Sequence, residues 1–350
     1  KVKYEGEVME SKKALKKAGI EPLKLASKEG LALINGTQMM AAIEVLSIIR
    51  SQNLIKTADM ALALSLEGLK GITGAFDEDI HKLRPHPGQI DSASNIRALT
   101  ENSQLMVEID DNRVQDSYTL RCGPQVHGAS RDSLSHVIEI VEREMNSVTD
   151  NPLIFPERNE VISGGNFHGQ PLALSSDYLG TAISELGNVS ERRTAKLVDN
   201  SLNNGLEMFL TTHGGLNSGY MIAQYTSASI VSENKILANP SSTDSIPTSA
   251  NQEDHVSMGS ISARHLYKIC SNVAQILAIE LITAAQAVDL RTDQPQKDLG
   301  KGSYLIYEKI REHVDYLDED RVLYPEILKM KEVIESGELL QAVNQKIKMD

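Results

Sequence analysis

Helical periodicity constrains this chain more than any other feature of its sequence. Over residues 130–145 the apolar positions are Leu134, Val137, Ile138, Val141 and Met145, while Asp132, Glu139, Glu142 and Arg143 face away. That is one amphipathic stripe at helical spacing. Residues 39–49 and 271–290 are apolar almost all round, the pattern of central helices walled in by others. Residues 217–238 differ, since Ala223, Ser227, Ala228 and Ser229 permit close helix approach while Gln224, Glu233 and Asn234 lie among them. Leu305, Ile306, Ile310 and Val314 mark a peripheral helix, and residues 326–343 another. Strand alternation is scarce, and only residues 153–155 and 161–162, flanking 156–160, read as a short hairpin. Breaks fall at 84–88, 151–152, 164–165, 214–215, 239–240 and 293–302, none long or low in complexity, and no repeat of fixed period is present. The expectation is an all-α fold in which residues 1–350 form a single mostly helical body of long packed helices. Helices apolar on several faces further predict a bundle shared between subunits, because one copy would struggle to cover them.

Composition narrows the function classes. Apolar residues make up 41% of the chain, enough for a substantial core. Its longest apolar stretch, 273–288, carries Gln275, Glu280 and Gln286, so a buried core helix is expected and no membrane span. A net charge of −13 argues against a nucleic-acid surface, which needs clustered Lys and Arg. Two cysteines, Cys122 and Cys270, make no disulfide framework, which favours a reducing cytoplasm. The chain begins Lys-Val-Lys rather than with Met, and no targeting peptide follows, so the numbering is expected to start inside a longer gene product.

Residues 247–258, Pro-Thr-Ser-Ala-Asn-Gln-Glu-Asp-His-Val-Ser-Met, crowd amide, carboxylate and imidazole groups just before a long apolar helix. Buried polar groups are costly without partners, so such crowding beside a core segment points to a site. Three companions are 30–38 (Gly-Leu-Ala-Leu-Ile-Asn-Gly-Thr-Gln), 115–121 (Gln-Asp-Ser-Tyr-Thr-Leu-Arg) and 163–168 (Ser-Gly-Gly-Asn-Phe-His). Each has a plain reading. Asn35-Gly36 is a strong turn dipeptide, 115–121 is a polar stretch before Pro124, and 163–168 is a glycine-rich connection. Phe167, however, is an odd choice for solvent. If 115–121 is helical, Tyr118 lies three residues from both Gln115 and Arg121, placing all three on one face. A guanidinium there offers two parallel donors to a carboxylate, which a small acidic substrate presents. Phosphate-loop, His-Glu-x-x-His, Cys-x-x-Cys and Gly-x-Ser-x-Gly signatures are absent, so a metal would need scattered ligands.

Taken together, Gly-Leu-Ala-Leu-Ile-Asn-Gly-Thr-Gln, Gln-Asp-x-Tyr-x-Leu-Arg-Cys, Glu-Met-Asn-Ser-x-Thr-Asp-Asn-Pro, Ser-Gly-Gly-Asn-Phe-His, Leu-Asn-Ser-Gly-Tyr-Met-Ile-Ala-Gln-Tyr and Gln-Glu-Asp-His-Val-Ser-Met resemble the histidine ammonia-lyases, in the family's order and across residues 20–295. Gln-Glu-Asp-His is closer to the histidine enzymes than to phenylalanine or tyrosine ammonia-lyases, where the acidic residue at the Glu253 position is usually replaced. The resemblance implies a fumarase/aspartase-like helical architecture, a homotetramer, and elimination of ammonia from L-histidine to give trans-urocanate. It also implies an electrophilic prosthetic group, 4-methylidene-imidazol-5-one, made in the family from an Ala-Ser-Gly tripeptide. No Ala-Ser-Gly occurs in these 350 residues; in the family it lies upstream of the part that matches here, with a catalytic Tyr and a His. Carried over by motif position, Arg121 holds the substrate carboxylate with support from Asn35. Tyr118 stands near the electrophile, and Gln115 and Phe167 shape the pocket. Glu253 meets the imidazole ring. For the base that takes the β-proton, an upstream Tyr ranks first and Glu253 second. Within the same chemistry the alternative is a phenylalanine or tyrosine ammonia-lyase or an aminomutase; from a different class, a non-catalytic helical oligomer that keeps the motifs. The fumarase and aspartase enzymes themselves would need a serine-bearing loop signature that this sequence lacks.

Overall fold

The computed structural model describes residues 1–110 and 113–350. By contact the chain separates into two compact units, residues 1–38 with 148–168, and residues 39–147 with 169–350.

In the smaller unit, β1 (Val2–Tyr4) and β2 (Glu7–Met9) pair antiparallel, with Val2 opposite Met9. Glu5 and Gly6, both at positive φ, turn the chain between them. This hairpin was not expected, because three-residue strands are too short for alternation to register. Helices α1 (Ser11–Lys17) and α2 (Glu29–Ala32) follow. The expected second hairpin is present: β3 (Leu153–Phe155) and β4 (Glu160–Ile162) pair with Ile154 opposite Val161.

The larger unit is helical: α3 (Gln38–Gly68), α4 (Glu78–Lys82), α5 (Pro87–Leu99), α6 (Tyr118–Arg121), α7 (Gly123–Met145), α8 (Gln170–Val198), α9 (Met221–Leu237), α10 (Gly259–Asp289), α11 (Pro295–Asp298), α12 (Lys301–Arg311), α13 (Tyr324–Glu335) and α14 (Glu338–Asn344). The all-α expectation holds, the strands among the described residues being those of two small hairpins. The segments apolar all round are the central ones. Met60, Leu62, Leu64 and Leu66 of α3 and Val273, Ile276, Leu277 and Ile282 of α10 are fully buried. Helix α10 packs on α8, α9 and α13; α8 packs also on α7, and α7 on α5. Glycines set the closest approaches: a Cβ on Gly187 of α8 would stand 3.0 Å from Ile276 Cδ1.

The buried core helix expected over 273–288 is found, and two other expectations are corrected in detail. By length and composition alone α10 is apolar enough to cross a membrane. Its faces are nevertheless buried against other helices, and within it Glu280 is paired with a buried arginine. The helix expected over 326–343 is two helices, broken at Gly337, which sits at φ 79°. Helix α9 begins only at Met221, because the Asp320 carboxylate takes the N–H groups of Ser218 and Gly219, both at 2.8 Å.

Two charged clusters inside the helical unit are matched. The Asp59 carboxylate accepts from Ser92 Oγ (2.6 Å), Asn95 Nδ2 (2.9 Å), His127 Nδ1 (2.8 Å) and Arg131 Nη2 (2.7 Å). Burial alone would push its carboxyl up, yet the His127 hydrogen bond and the Arg131 charge hold it down at about 2. Arg193 and Glu280, both fully buried, form a bidentate pair with Nη2–Oε2 at 2.8 Å, and Ser65 Oγ adds a bond at 2.7 Å. Pairing of this completeness is what lets charge survive in an apolar bundle.

Candidate active site

The expected 115–121 helix is shorter than the sequence pattern implies. Ser117 is extended and caps α6, which holds only Tyr118 to Arg121. Gln115 therefore lies in the preceding loop, not on a helical face with Tyr118 and Arg121 as expected. The reason is the residue between them. Asp116 is buried, its Oδ2 accepts the Ile72 N–H at 2.7 Å, and its Oδ1 meets Arg113 Nε at 3.1 Å. Tied this way, the chain cannot continue the helix backward through 115–117.

The helix itself is fixed from beneath. Leu120 is fully buried. Just beyond, a Cβ on Gly123 would lie 2.1 Å from Leu62 Cδ2, so a side chain there would force Leu62 to repack where the start of α7 presses on α3. Arg193 Nη1 lies 3.5 Å from the Thr119 carbonyl oxygen. Above, Tyr118 is 71% exposed and the Arg121 guanidinium stacks 4.7 Å from its ring centre. Arg121 Nε donates to the Asp116 carbonyl at 2.9 Å, while its Nη groups make no hydrogen bond to a described residue. Gln115 is exposed and likewise has no hydrogen bond to a described residue.

Glu253 sits on a separate loop of the same unit. Thr248 and Glu253 form a small antiparallel bridge, and Thr248 Oγ1 donates to Glu253 Oε2 at 2.7 Å. Between them Ser249, Ala250 and Asn251 all take positive φ, a tight left-handed turn that non-glycine residues adopt only under constraint. Hydrogen bonds from the Thr248 and Ser249 hydroxyls hold the Glu253 carboxyl below its usual range, so this exposed group is a carboxylate at neutral pH.

Asn35 and Phe167 belong to the smaller unit. Asn35 follows α2 with its N–H on the Leu31 carbonyl at 2.9 Å. Gly36 beside it takes φ 131°, where a Cβ would stand 2.5 Å from the Thr149 carbonyl oxygen. The turn reading and a functional Asn are thus compatible. Phe167 is half-buried in a loop that Asn151 Oδ1 steadies through Ser163 Oγ (3.2 Å) and the Gly164 N–H (2.8 Å). Those bonds join two of the motifs noted in the sequence. For metals, the cluster with suitable spacing among the described residues is Glu312, His313 and Glu338. Lys309 already supplies a cation to both glutamates, at 2.5 and 3.4 Å.

A model of the family described as aromatic amino acid lyase matches residues 1–312. This chain belongs to the aromatic amino acid lyase family. Among the lyase's relatives, histidine ammonia-lyase of Natranaerobius thermophilus is 54% identical over 98% of this chain and 67% of its own length. That of Treponema denticola is 51% identical over 98% and 67%. The chain thus spans about two thirds of the length of the curated relatives it matches. Among solved structures, histidine ammonia-lyase from Trypanosoma cruzi superposes with a TM-score of 0.88 at 42% identity, covering 96% of this chain and 63% of that one. Tyrosine aminomutase from Streptomyces globisporus gives 0.93 at 37% identity, covering 99% and 70%. The lyase therefore has the long-helix, all-α architecture expected from its motifs.

Within one copy of the lyase, Tyr118 and Arg121 touch, Gln115 shares their loop, and Glu253 stands on its own turn. Asp116 stands inside one of the sequence motifs without an assigned role. Its signal was an acidic residue that could not share a helical face with Tyr118 and Arg121. Asp59, His127, Arg193 and Glu280 also went unremarked as a group, because their pairing depends on contacts 66 to 87 residues apart.

Proposed function

We propose that this chain, assembled with identical subunits and supplied with the Ala-Ser-Gly-derived group that its own 350 residues do not encode, eliminates ammonia from L-histidine to give trans-urocanate: the α-amino group leaves Cα, a proton leaves Cβ, and a double bond forms between them. The observation that carries the reading is an ionised carboxylate at Glu253 in a chain at least half identical to several proteins called histidine ammonia-lyase. Imidazole offers an N–H and becomes cationic near neutral pH, so a carboxylate suits it. A phenyl ring would instead leave that charge unmatched on binding.

In this proposal the free Nη fork of Arg121 takes the substrate carboxylate. Fixing that end orients the β-carbon, where proximity contributes most. Gln115 walls the pocket beside it. The family's prosthetic group, 4-methylidene-imidazol-5-one, suits the donors present. The Tyr118 phenol and the Gln115 amide face solvent with no hydrogen bond to described residues, a donor set for a heterocycle bearing a carbonyl. When bound, that group supplies an electrophilic carbon for the substrate amine. In this reading Tyr118, on whose ring the Arg121 guanidinium stacks, moves a proton at its hydroxyl. A homotetramer fits the exposed apolar faces, such as Ile222, Tyr225 and Ile236 along α9. Two unbridged cysteines fit a reducing cytoplasm.

Ultraviolet absorbance of the products separates the candidates. Urocanate from L-histidine is expected; cinnamate or coumarate alone would move the chain to the phenylalanine or tyrosine enzymes. A β-amino acid in place of ammonia release would mark an aminomutase.

A further inference from the structure

Arg121 is held by a device that the functional reading above does not use. Its Nε is committed to the Asp116 carbonyl at 2.9 Å, which leaves the two Nη groups as a fork of fixed direction. The orientation of that carbonyl depends on the Asp116 side chain, which is nearly fully buried, at 6% exposure. Asp116 Oδ2 accepts the Ile72 N–H at 2.7 Å. Ile72 belongs to a strut that is itself bridged to Val107 through Thr73 N–H to Val107 O (2.9 Å) and Val107 N–H to Gly71 O (3.0 Å). Asp116 Oδ1 pairs with Arg113 Nε at 3.1 Å. Arg113 in turn reaches Asp110 at 2.9 Å and the Lys70 carbonyl. One carboxylate thus ties the loop before α6 to two neighbours, while its own main chain grips the guanidinium.

We propose that Asp116 is a positioning residue for substrate-carboxylate recognition, setting the direction of the Arg121 fork through its carbonyl while its buried carboxylate locks the loop to Ile72 and Arg113. This rests on Arg121 being the carboxylate ligand. A mobile guanidinium must be oriented at each binding event, whereas a preset one loses less freedom.

The test is calorimetric binding to the holoenzyme of two ligands that each lack one half of the substrate. Imidazole propanoate keeps the carboxylate and lacks the amine; histamine keeps the amine and lacks the carboxylate. Asp116→Ala should weaken imidazole propanoate about tenfold or more, because a small misplacement of a clamp is costly, and leave histamine within about twofold. Asp116→Asn keeps an acceptor for Ile72 and should recover part of the loss. Arg113→Gln, a milder change should Asp116→Ala fold poorly, is expected to give the same ligand-selective loss at smaller size. In the Asp116→Ala/Arg121→Ala double variant, the loss should not exceed that of Arg121→Ala alone. Equal weakening of both ligands, or of neither, overturns the proposal. If Arg121→Ala weakens imidazole propanoate and Asp116→Ala does not, this inference fails while the function stands. If Arg121→Ala changes neither ligand, the carboxylate role falls and this inference with it.

Discussion

Arg193 and Arg121 carry the same guanidinium in opposite circumstances. Arg193 is fully buried, and Glu280 answers it with two hydrogen bonds while Ser65 occupies the same carboxylate. Arg121 is half-buried, spends one nitrogen on its own main chain, and stacks on a tyrosine that is mostly in solvent. The carboxylates divide the same way. Glu280 and Asp59 are surrounded by donors, whereas Glu253 is exposed and met by the hydroxyls of its own turn. Complete pairing in the interior does architectural work and leaves nothing over for a ligand. Partial pairing at the surface leaves donors and charge to spare, and that surplus marks a site. Removing the two kinds of residue should accordingly harm different properties.

The largest effect belongs to the interior. Arg193→Met should cost about 3–5 kcal/mol of folding free energy, since it strands a buried carboxylate. Chemical denaturation would measure it, and Arg193→Met/Glu280→Leu should recover most of the loss. A single variant as stable as the parent would erase the distinction between the two regions.

A second interior prediction uses a carboxylate that is not matched by a cation. Glu44 is fully buried, accepts from Ser175 Oγ at 2.6 Å, and its other oxygen has no partner among the described residues. Burial raises its carboxyl from 4.5 to about 7. The folded state therefore holds a proton that the unfolded state has already lost, and stability falls as pH rises from about 4.5 to about 7. The rise from 4.5 to about 7 corresponds to about 3 kcal/mol at 1.36 kcal/mol per unit. Unfolding free energy measured across that window should slope downward, and Glu44→Gln should flatten the slope; an unchanged slope would place the proton elsewhere.

These contrasts also explain what the sequence disclosed. Helix positions were legible wherever apolar periodicity ran long, as in 130–145 and 271–290, because one burial pattern repeats over several turns. The motif residues stood out only in company, since Arg121, Tyr118 and Glu253 are each ordinary on a surface and it is their shared motifs that single them out. Local backbone was not. Asp116 ends the expected 115–121 helix by bonding Ile72, which is 44 residues away, and no spacing rule inside the segment contains that contact. Gly337 reads as an ordinary helix interruption only once its φ of 79° is seen. The Asp59 and Glu280 pairings were hidden for the same reason: their partners come from other helices.

At the surface, Arg121→Ala should raise the Michaelis constant for L-histidine about 10- to 100-fold, the equivalent of roughly 1.5–3 kcal/mol for a hydrogen bond to a charged group. Its melting temperature should stay close to the parent's, because the side chain supports little beyond its own loop. An unchanged Michaelis constant would remove the carboxylate role and shift Arg121 to the structural side of the comparison.

Glu253→Gln is the smallest and sharpest of these changes. The amide keeps an oxygen for Thr248 Oγ1, so the 248–253 bridge has no reason to open. Exposed positions of this kind usually shift stability by no more than about 0.5 kcal/mol. What the substitution removes is charge, and charge-assisted hydrogen bonds are roughly twice as strong as neutral ones, so kcat/KM for L-histidine should drop about tenfold. Because the hydroxyls of Thr248 and Ser249 keep the parent carboxyl ionised to below its usual range, the difference between parent and variant should persist through mildly acidic pH. Should the melting temperature fall in step with activity, Glu253 belongs with Asp59 and Glu280 as a structural carboxylate, and the imidazole contact is lost with it.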